Sequence, residues 1–544
     1  MCRVSLESHP RILVTAVLIG TVLALLVRPG DARADNYCVN VPVCPAPGTP
    51  YTAVQLQTAL TTADAHVGPD TVIVGAGSYV GAFTSNSGAD QLEIVGAGAG
   101  ATTLSSTSSF TLAAAGSDTT VHAMTLVQAS AGTPSGTLQL GATSTAYDLQ
   151  LQIGNSVHGI EAQQGDVIHN VTITSGGAPQ IGIAGSGSGI FVTDVTIADV
   201  ANTGGNAINQ SGAANEALTL SRVTISGYNL GILTASGTVV ASNTLIQLGA
   251  IPGAVGVWLW NTANASVHLS ARLESVTIMG TGPAQAGVFV ASQGSGAQVE
   301  QSSVSDSLVV LTGAAPAAIL CLQSGAGNTA TLAVTHSALF ASNLTHSGTC
   351  APVVSANVDL TGLTLGFANV AGNDYTPSFG SPLIDAGTSG ASADSTDLLG
   401  RPRVVNGGSG TAVRDIGAFE YQPPAPVAKP ALFSAVKLLR AVVKRSGGTW
   451  TVLIGARAQR AAVIRLSTAT AGVVRITMAH KVGHTYRAIK GAKTLKLGKG
   501  SIKLGFRGTW QRHLLGKGSY RITIASSARP GYRATSASVA LTLK

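Results

Sequence analysis

Between residues 150 and 300 the apolar and polar positions recur in short, regularly spaced blocks. One block is small-apolar-x: Gly159-Ile160-Glu161, Gly182-Ile183-Ala184, Ala207-Ile208-Asn209, Gly231-Ile232-Leu233, Gly256-Val257-Trp258 and Gly287-Val288-Phe289. Its apolar member steps by 23, 25, 24, 25 and 31 residues. A second block runs in phase: Val171-Thr172-Ile173, Val195-Thr196-Ile197, Val223-Thr224-Ile225 and Val276-Thr277-Ile278. Apolar-polar-apolar triplets are the signature of strands with one buried face. Two short strands per repeat, separated by Gly/Ser/Asn turns, predict a solenoid of β-coils. A leucine-rich repeat would need a Leu/Asn ladder, and a propeller would need longer blades. The pattern therefore predicts a parallel β-helix with about a dozen coils over residues 70 to 370, a rod roughly 55 to 60 Å long.

The front of this region supports the same reading. Thr52-Ala53-Val54-Gln55 has the form of a capping box that opens an amphipathic helix through Ala65. Such a helix would cover the open edge of the first coil. Asp70-Thr71-Val72-Ile73-Val74-Gly75-Ala76-Gly77-Ser78-Tyr79 then reads as strand, turn, strand. Here residues 50 to 370 resemble the right-handed parallel β-helix proteins of the pectin-lyase-like superfamily. Further on, Ser381-Pro382-Leu383-Ile384-Asp385-Ala386-Gly387, Asp397-Leu398-Leu399-Gly400-Arg401-Pro402-Arg403 and Asp415-Ile416-Gly417-Ala418-Phe419-Glu420-Tyr421 resemble a choice-of-anchor Q region. That resemblance implies a terminal cap ahead of a surface-attachment module. Arg401, Arg403 and Arg414 are expected to pair with Asp385, Asp397 or Asp415 and to seal the last coil.

Composition narrows the class. Of 544 residues 66 are glycine, and only 10% are charged, which excludes a coiled coil or a charged disordered chain. The single long apolar run, Ile12 to Val27, follows Arg3 and Arg11 and precedes Ala32-Arg33-Ala34. This is the layout of a secretory signal peptide cleaved after Ala34, with no integral span left afterwards. Four cysteines then remain, Cys38, Cys44, Cys321 and Cys350. An even count in an exported chain suggests disulfides, and the near-neighbour pairing is Cys38 to Cys44 and Cys321 to Cys350, one of three connectivities.

The net charge of +8 conceals a split. Residues 35–425 carry five arginines, no lysine and 22 carboxylates, a net of −17. Residues 426–544 carry 23 Lys and Arg and no Asp or Glu, a net of +23. Gln422-Pro423-Pro424-Ala425-Pro426-Val427-Ala428-Lys429-Pro430 lies between them and reads as an extended linker. The expected order is a signal peptide (1–34), a β-helix with its N-terminal cap (35–370), the anchor-type region (371–421), the linker (422–430) and a basic domain (431–544).

The basic segment reads as short strands, among them 450–454, 473–477, 501–504, 520–524 and 539–543, which suggests a small β-sandwich. Leu515-Gly516-Lys517-Gly518-Ser519-Tyr520-Arg521-Ile522-Thr523 resembles a strand of bacterial Ig-like extracellular modules. A surface this basic should bind polyanions such as anionic envelope polymers or acidic polysaccharide. No DNA- or RNA-reading motif is present, so no specific nucleic acid partner is expected.

Catalytic motifs are scarce. None of the Asn-Thr-Asp, Asp-Asp, Gly-His-Gly, Arg-Ile-Lys or Arg-x-Pro-x-x-Arg patterns of pectin-lyase-like hydrolases and lyases occurs, so the resemblance carries no catalytic residue across. Arg222 and Arg272 are the only basic residues of the coil body; an ion pair between Arg222 and Asp194, one coil earlier, is the expected role of the former. The histidines are scattered without metal-ligand spacing, and no cofactor is indicated. A Ca²⁺ ion among the carboxylates stays open, but no EF-hand loop appears. Strand alternation gives the best candidates. With Val257 and Leu259 inward, Trp258 and Trp260 face out, and Phe289 joins Trp258 on one stripe. Exposed aromatics suit carbohydrate binding, unless the insertion Asn261–Ala271 folds over them. The sequence thus predicts an all-β chain, a right-handed parallel β-helix followed by a small β-sandwich. It further predicts a secreted or cell-surface protein, non-catalytic, that contacts polysaccharide. A polysaccharide lyase or glycoside hydrolase is the alternative, and the oligomeric state is open.

Overall fold

The computed structural model describes residues 34–543 except for 87, 89, 131–135, 156, 179–180, 212–215, 262–267, 294–297, 326, 340–343, 348–349, 351, 361–362, 390–394, 425–432, 439–441, 447–448, 455–456, 460–461, 469–470, 507–508 and 528–532. The signal-peptide reading, most of the proline-rich linker and half of the 261–271 insertion lie outside the described residues. The chain divides into two compact units at Pro423/Pro424.

The first unit is a parallel β-helix. Eleven strands, from Phe83–Ser85 to Leu344–Ser347, stack in parallel as one wall. The column that fills its inner side runs Phe83, Leu112, Leu138, Ile160, Ile183, Ile208, Ile232, Val257, Val288 and Ile319 in unbroken register. The apolar member of the first repeat block is therefore a ladder. A second wall stacks twelve strands in parallel, from Asp70–Val74 to Val353–Ser355, which matches the expected dozen coils and at about 4.8 Å per strand makes a rod roughly 55 Å long.

The other two walls share long, bent strands such as Thr145–Asn155, Val167–Ser175, Ile190–Asp199 and Ala217–Ser226. Each bends at one residue in the left-handed region. Stacked from rung to rung these corners are Ala123, Asp148, Asn170, Asp194, Arg222, Asn243, Ser275, Asp306, His336 and Ala356, with φ between 45° and 58°. The Val-Thr-Ile block follows the corner, with Val171, Val195 and Val223 and Ile173, Ile197 and Ile225 all buried.

The small member of the first block has a steric cause. A Cβ at Gly159, Gly182, Gly231 or Gly256 would press on Ile173, Ile197, Ile246 or Ile278, the facing isoleucine of the same coil. The two repeat blocks are thus the two sides of one packing layer.

The N-terminal end is closed as the sequence suggested. A 3₁₀ turn, Ala53–Gln55, runs into the α-helix Leu56–Ala65, and Thr52 N–H donates to Gln55 Oε1 at 2.9 Å. Leu56, Ala59, Leu60 and Ala63 pack onto the core of the first coil. Strand Asn36–Val39 lies under Asp70–Val74, and strand Gly48–Tyr51 forms the outermost edge. Pro50 sits on that edge, where a missing N–H discourages further pairing. Cys38 joins Cys44, and Cys321 joins Cys350, the near-neighbour connectivity.

Residues 371–421 do not lie over the last coil as a terminal cap would. They pack sideways onto the wall after the corner. Leu383 and Ile416, with Leu365 from just before the segment, cover Leu308, Val310 and Ala338, while Tyr375, Ala418 and Phe419 cover Leu245. Thr277 Oγ1 accepts from Ala418 N–H at 2.8 Å, and Asp306 accepts from both the N–H and the hydroxyl of Thr388 at 2.7 Å. The sequence carried a trace of this. The outward residue of the Val-Thr-Ile block, Thr172, Thr196 and Thr224 in the early rungs, becomes Leu245, Leu308 and Ala338 where the segment docks, with Thr277 kept between them as the acceptor for Ala418.

The second unit is antiparallel except where Val442–Ser446 pairs with Thr535–Leu543 in parallel. Strands Phe433–Leu438, Ala462–Thr468 and Gly500–Phe506 form a small sheet, and Gly472–Val482, Gly518–Ser526 and Thr535–Leu543 are central to a larger one. Ile464, Val474, Ile476, Met478, Ile522, Ile524, Leu541 and Leu543 make up much of its core.

One buried carboxyl gives the rod a pH signature. Asp166, at a turn between coils, accepts N–H bonds from Ser144 at 2.8 Å and Gln163 at 2.6 Å. Burial outweighs these bonds and pushes it from 3.8 up to about 7. A carboxyl that keeps its proton longer in the folded state contributes stability below its unfolded value, and that contribution is lost as pH rises through the folded one. The melting temperature of Asp166→Asn should therefore lack part of the decline that the parent chain shows between pH 4 and 7. Parallel slopes for the two proteins in calorimetry would refute this.

Candidate functional site

The outward column of the eleven-stranded wall changes character along the rod. It reads Thr84, Ala113, Gln139, Glu161, Ala184 and Asn209 in the first rungs, then Leu233, Trp258, Phe289 and Leu320. Beside it Leu230, Val255 and Ala286 form a second apolar row, and the two rows pack into one surface cluster. Four successive rungs thus present apolar side chains outward, where the earlier rungs present polar or small ones.

The three aromatic residues singled out in the sequence come together there. Trp258 pairs in register with Phe289, and their rings stack at 5.3 Å with an 11° interplanar angle. Trp260 stacks on Trp258 at 4.9 Å and 20°. Trp258 and Phe289 are half-buried, while Trp260 is 37% exposed. The Trp260 indole N–H donates to Gln293 Oε1 at 3.4 Å, which steadies its ring. Two near-parallel neighbours cover much of Trp258, so Trp260 supplies the open aromatic surface and Trp258 its support.

Arg222 and Arg272 are both engaged. Arg222 meets Asp194 through two parallel bonds of 2.6 and 2.7 Å, the cross-rung ion pair expected from the sequence. Both residues are corners of the bent strands, so the fork ties adjacent rungs. Arg272 donates to Glu274 at 2.9 Å. Glu274 also binds Arg414 from the flanking segment, and Arg414 lies 3.0 Å from Asp306. Burial raises the Glu274 carboxyl, but Arg414 and Arg272 outweigh it and hold the group below its ordinary value. These contacts place Arg414 against the coil body rather than with Asp385 or Asp415. Arg401 pairs with Asp397 at 2.7 Å as expected, and Arg403 faces Glu420.

A second surface escaped the sequence reading. On the wall before the corner, His122, Tyr147 and His169 stack across three rungs at 4.4 and 4.9 Å, with interplanar angles of 11° and 3°. His122 Nε2 lies 2.8 Å from Glu93 Oε1. Burial, with the nearby charges of Glu93 and Asp148, raises the Tyr147 hydroxyl above its ordinary value. Next to this stack a depression of about 460 Å³ is lined by Asp70, Glu93, Asp118, Thr71, Thr120, Thr143 and Thr145. Intervals of 25 and 22 residues between unlike residue types carry no visible motif, yet they match the coil period. Among the described residues no group of three or more His, Cys, Asp or Glu is arranged to hold a metal ion. No described helix is long and apolar enough to cross a membrane.

No family model matches the sequence, and no curated protein matches it either. Solved structures align with the chain at low similarity. The tailspike protein gp49 of Acinetobacter baumannii bacteriophage Fri1, a capsular polysaccharide depolymerase, aligns over 94% of this chain and 78% of its own, with 9% identity and a TM-score of 0.31. The catalytic domain of a GH87 α-1,3-glucanase in complex with nigerose aligns over 55% and 64%, with 11% identity and a TM-score of 0.21. At these values neither likeness says anything about the chemistry of this chain.

Proposed function

We propose that this is an exported, extracellular or cell-surface protein whose β-helix contacts polysaccharide without transforming it. Its basic C-terminal unit, with no acidic residue in 426–544, holds it to anionic envelope polymers. The observation that carries the contact is the aromatic and aliphatic strip on four consecutive rungs, with Trp260 as its open ring. A rigid, flat β-wall with exposed aromatic surface suits the apolar faces of sugar rings. The two disulfides fit an oxidising compartment, in line with the N-terminal signal pattern. Engagement of Arg222 and Arg272 in ion pairs supports a structural role for the two arginines of the coil body.

A second reading is a secreted polysaccharide lyase or glycoside hydrolase. The depression bearing Asp70, Glu93 and Asp118 favours it, since paired carboxyls are the usual tools of glycoside cleavage. One experiment separates the two. The chain from Asp35 onward is incubated with neutral and acidic polysaccharides, and binding, unsaturated sugars and new reducing ends are followed. The expected outcome is binding without product, weakened about tenfold in Trp260→Ala. Product that disappears in Glu93→Gln or Asp118→Asn would replace this reading with the enzymatic one.

A further inference from the structure

We propose that the outer face of the larger sheet in the C-terminal unit is the surface that grips a linear acidic glycopolymer, with Arg475, Lys481, Lys496 and Arg521 as its contact cations. The proposal rests on the reading that this unit binds anionic envelope polymers, and it names the face and the kind of ligand. The strand Gly472–Val482 buries Val474, Ile476 and Met478, so Arg475, Thr477, Ala479 and Lys481 face out. Its neighbour Gly518–Ser526 buries Tyr520, Ile522 and Ile524 and turns Arg521 and Thr523 outward. Register sets Arg521 opposite Ala479, Thr523 opposite Thr477, Lys496 opposite Val473 and Tyr486 opposite Lys481. The four cations are exposed, and among the described residues none of them forms an ion pair.

Two details suit this face to recognition. The Arg521 guanidinium lies 4.0 Å over the Tyr486 ring, which fixes its plane and leaves its N–H edge free for a carboxylate or phosphate. Between the cations Thr523 and Ser538 share a hydroxyl hydrogen bond of 2.8 Å. Spacing argues for a polymer. Arg475 and Lys481 are six residues apart on one strand, roughly 20 Å, with Arg521 between them. A single compact anion cannot span Arg475 and Lys481, whereas a chain with regularly placed acid groups reaches both and Arg521 as well. Nucleic acid fits less well, because the aromatic ring of the face is covered by Arg521 and offers no platform for a base.

The test uses the full chain. A face variant (Arg475→Gln, Lys481→Gln, Lys496→Gln, Arg521→Gln) is compared with a charge-matched variant at turn cations (Lys490→Gln, Lys499→Gln, Arg512→Gln, Lys517→Gln). Binding to polygalacturonate and to poly(glycerol phosphate) is measured from 50 to 300 mM salt, after circular dichroism has shown both variants folded. The face variant should lose at least tenfold in affinity for one or both polymers, with a log–log salt slope shallower by about 3, and the turn variant less than threefold. The polymer that responds identifies carboxylate or phosphate as the recognised group. Equal losses in both variants would overturn the proposed face while leaving polyanion binding by the unit intact. Binding to neither polymer by the parent chain would overturn the underlying reading as well. Equal affinity for single-stranded DNA of matched charge would overturn the choice of glycopolymer.

Discussion

A Gly256→Val chain should lose the middle of its rod. A Cβ at this position would stand 2.6 Å from the carbonyl oxygen of Gly287 and 2.7 Å from Cγ2 of Ile278. The first contact is backbone of the next rung and the second is the opposite wall of the same coil. Neither can retreat without breaking the ladder or the core layer. Overpacking of this kind costs about 3 kcal/mol, and valine adds two methyl groups to the Cβ. Alanine should be milder, at about 1 kcal/mol, because Ala207 and Ala318 occupy the same column fully buried. Gly176 provides the control: nothing lies within 4 Å of its Cβ position, so Gly176→Ala should leave stability unchanged or slightly raised. Thermal unfolding followed by far-UV circular dichroism ranks the three variants. A Gly256→Val protein that melts with the parent would show that the small-apolar block is not a packing constraint.

That constraint is also why the fold could be read from the chain. A column in which each rung must be small, then branched and apolar, leaves the same three-residue imprint every coil. Ile160, Ile183, Ile208 and Ile232 stand out for that reason, as do the Val-Thr-Ile triplets that face them. The cap helix and the Arg222–Asp194 fork were legible for equally local reasons. The corner column was not. A left-handed φ favours Asn, Asp and His, which fill Asp148, Asn170, Asp194, Asn243, Asp306 and His336, but Ala123, Arg222, Ser275 and Ala356 also serve, so no fixed motif survives. The lateral docking of 371–421 was hidden because its apolar residues have no period. Its imprint fell instead on distant positions, where threonine changed to Leu245 and Leu308. In the candidate site, register placed Trp258 beside Phe289, but alternation alone could not say that the rings stack on each other. The open surface therefore belongs to Trp260. The His122, Tyr147 and His169 stack shows the same limit, since alignment across rungs, not residue identity, brings those rings together.

Arg403→Ala should release the segment that clasps the flank of the rod. Arg403 is 1% exposed and donates through Nη2 to the carbonyl oxygens of Asp415 and Gly417, with Glu420 Oε2 3.9 Å from its Nε. Asp397, Asp415 and Glu420 are buried around it. Asp397 binds Arg401 and accepts from the N–H of Glu420, and Asp415 accepts from the N–H groups of Asp385 and Tyr421. Arg403 thereby ties the second short motif to the third, and Asp415 ties the third to the first through the N–H of Asp385. Burial already pushes Glu420 up to about 8 and Asp415 up to about 6, so these carboxyls tolerate charge poorly even with Arg403 in place. At neutral pH, removing the cation leaves Asp415 uncompensated and strips the carbonyls of Asp415 and Gly417 of their donor, which costs about 3 to 5 kcal/mol. Arg403→Met paired with Glu420→Gln removes charge from both sides and should recover most of that loss. Trypsin gives a local readout, because Arg414 is buried in the parent chain against Glu274 and Asp306. Cleavage after Arg414 should accelerate at least tenfold in Arg403→Ala and return towards the parent rate in the double variant. Both raised carboxyls bind their protons more tightly folded than unfolded, so the parent segment should itself loosen as pH rises from about 6 to 9. Unchanged cleavage in Arg403→Ala across that range would mean that apolar packing by Leu383, Ile416 and Phe419 holds the segment without the buried charge.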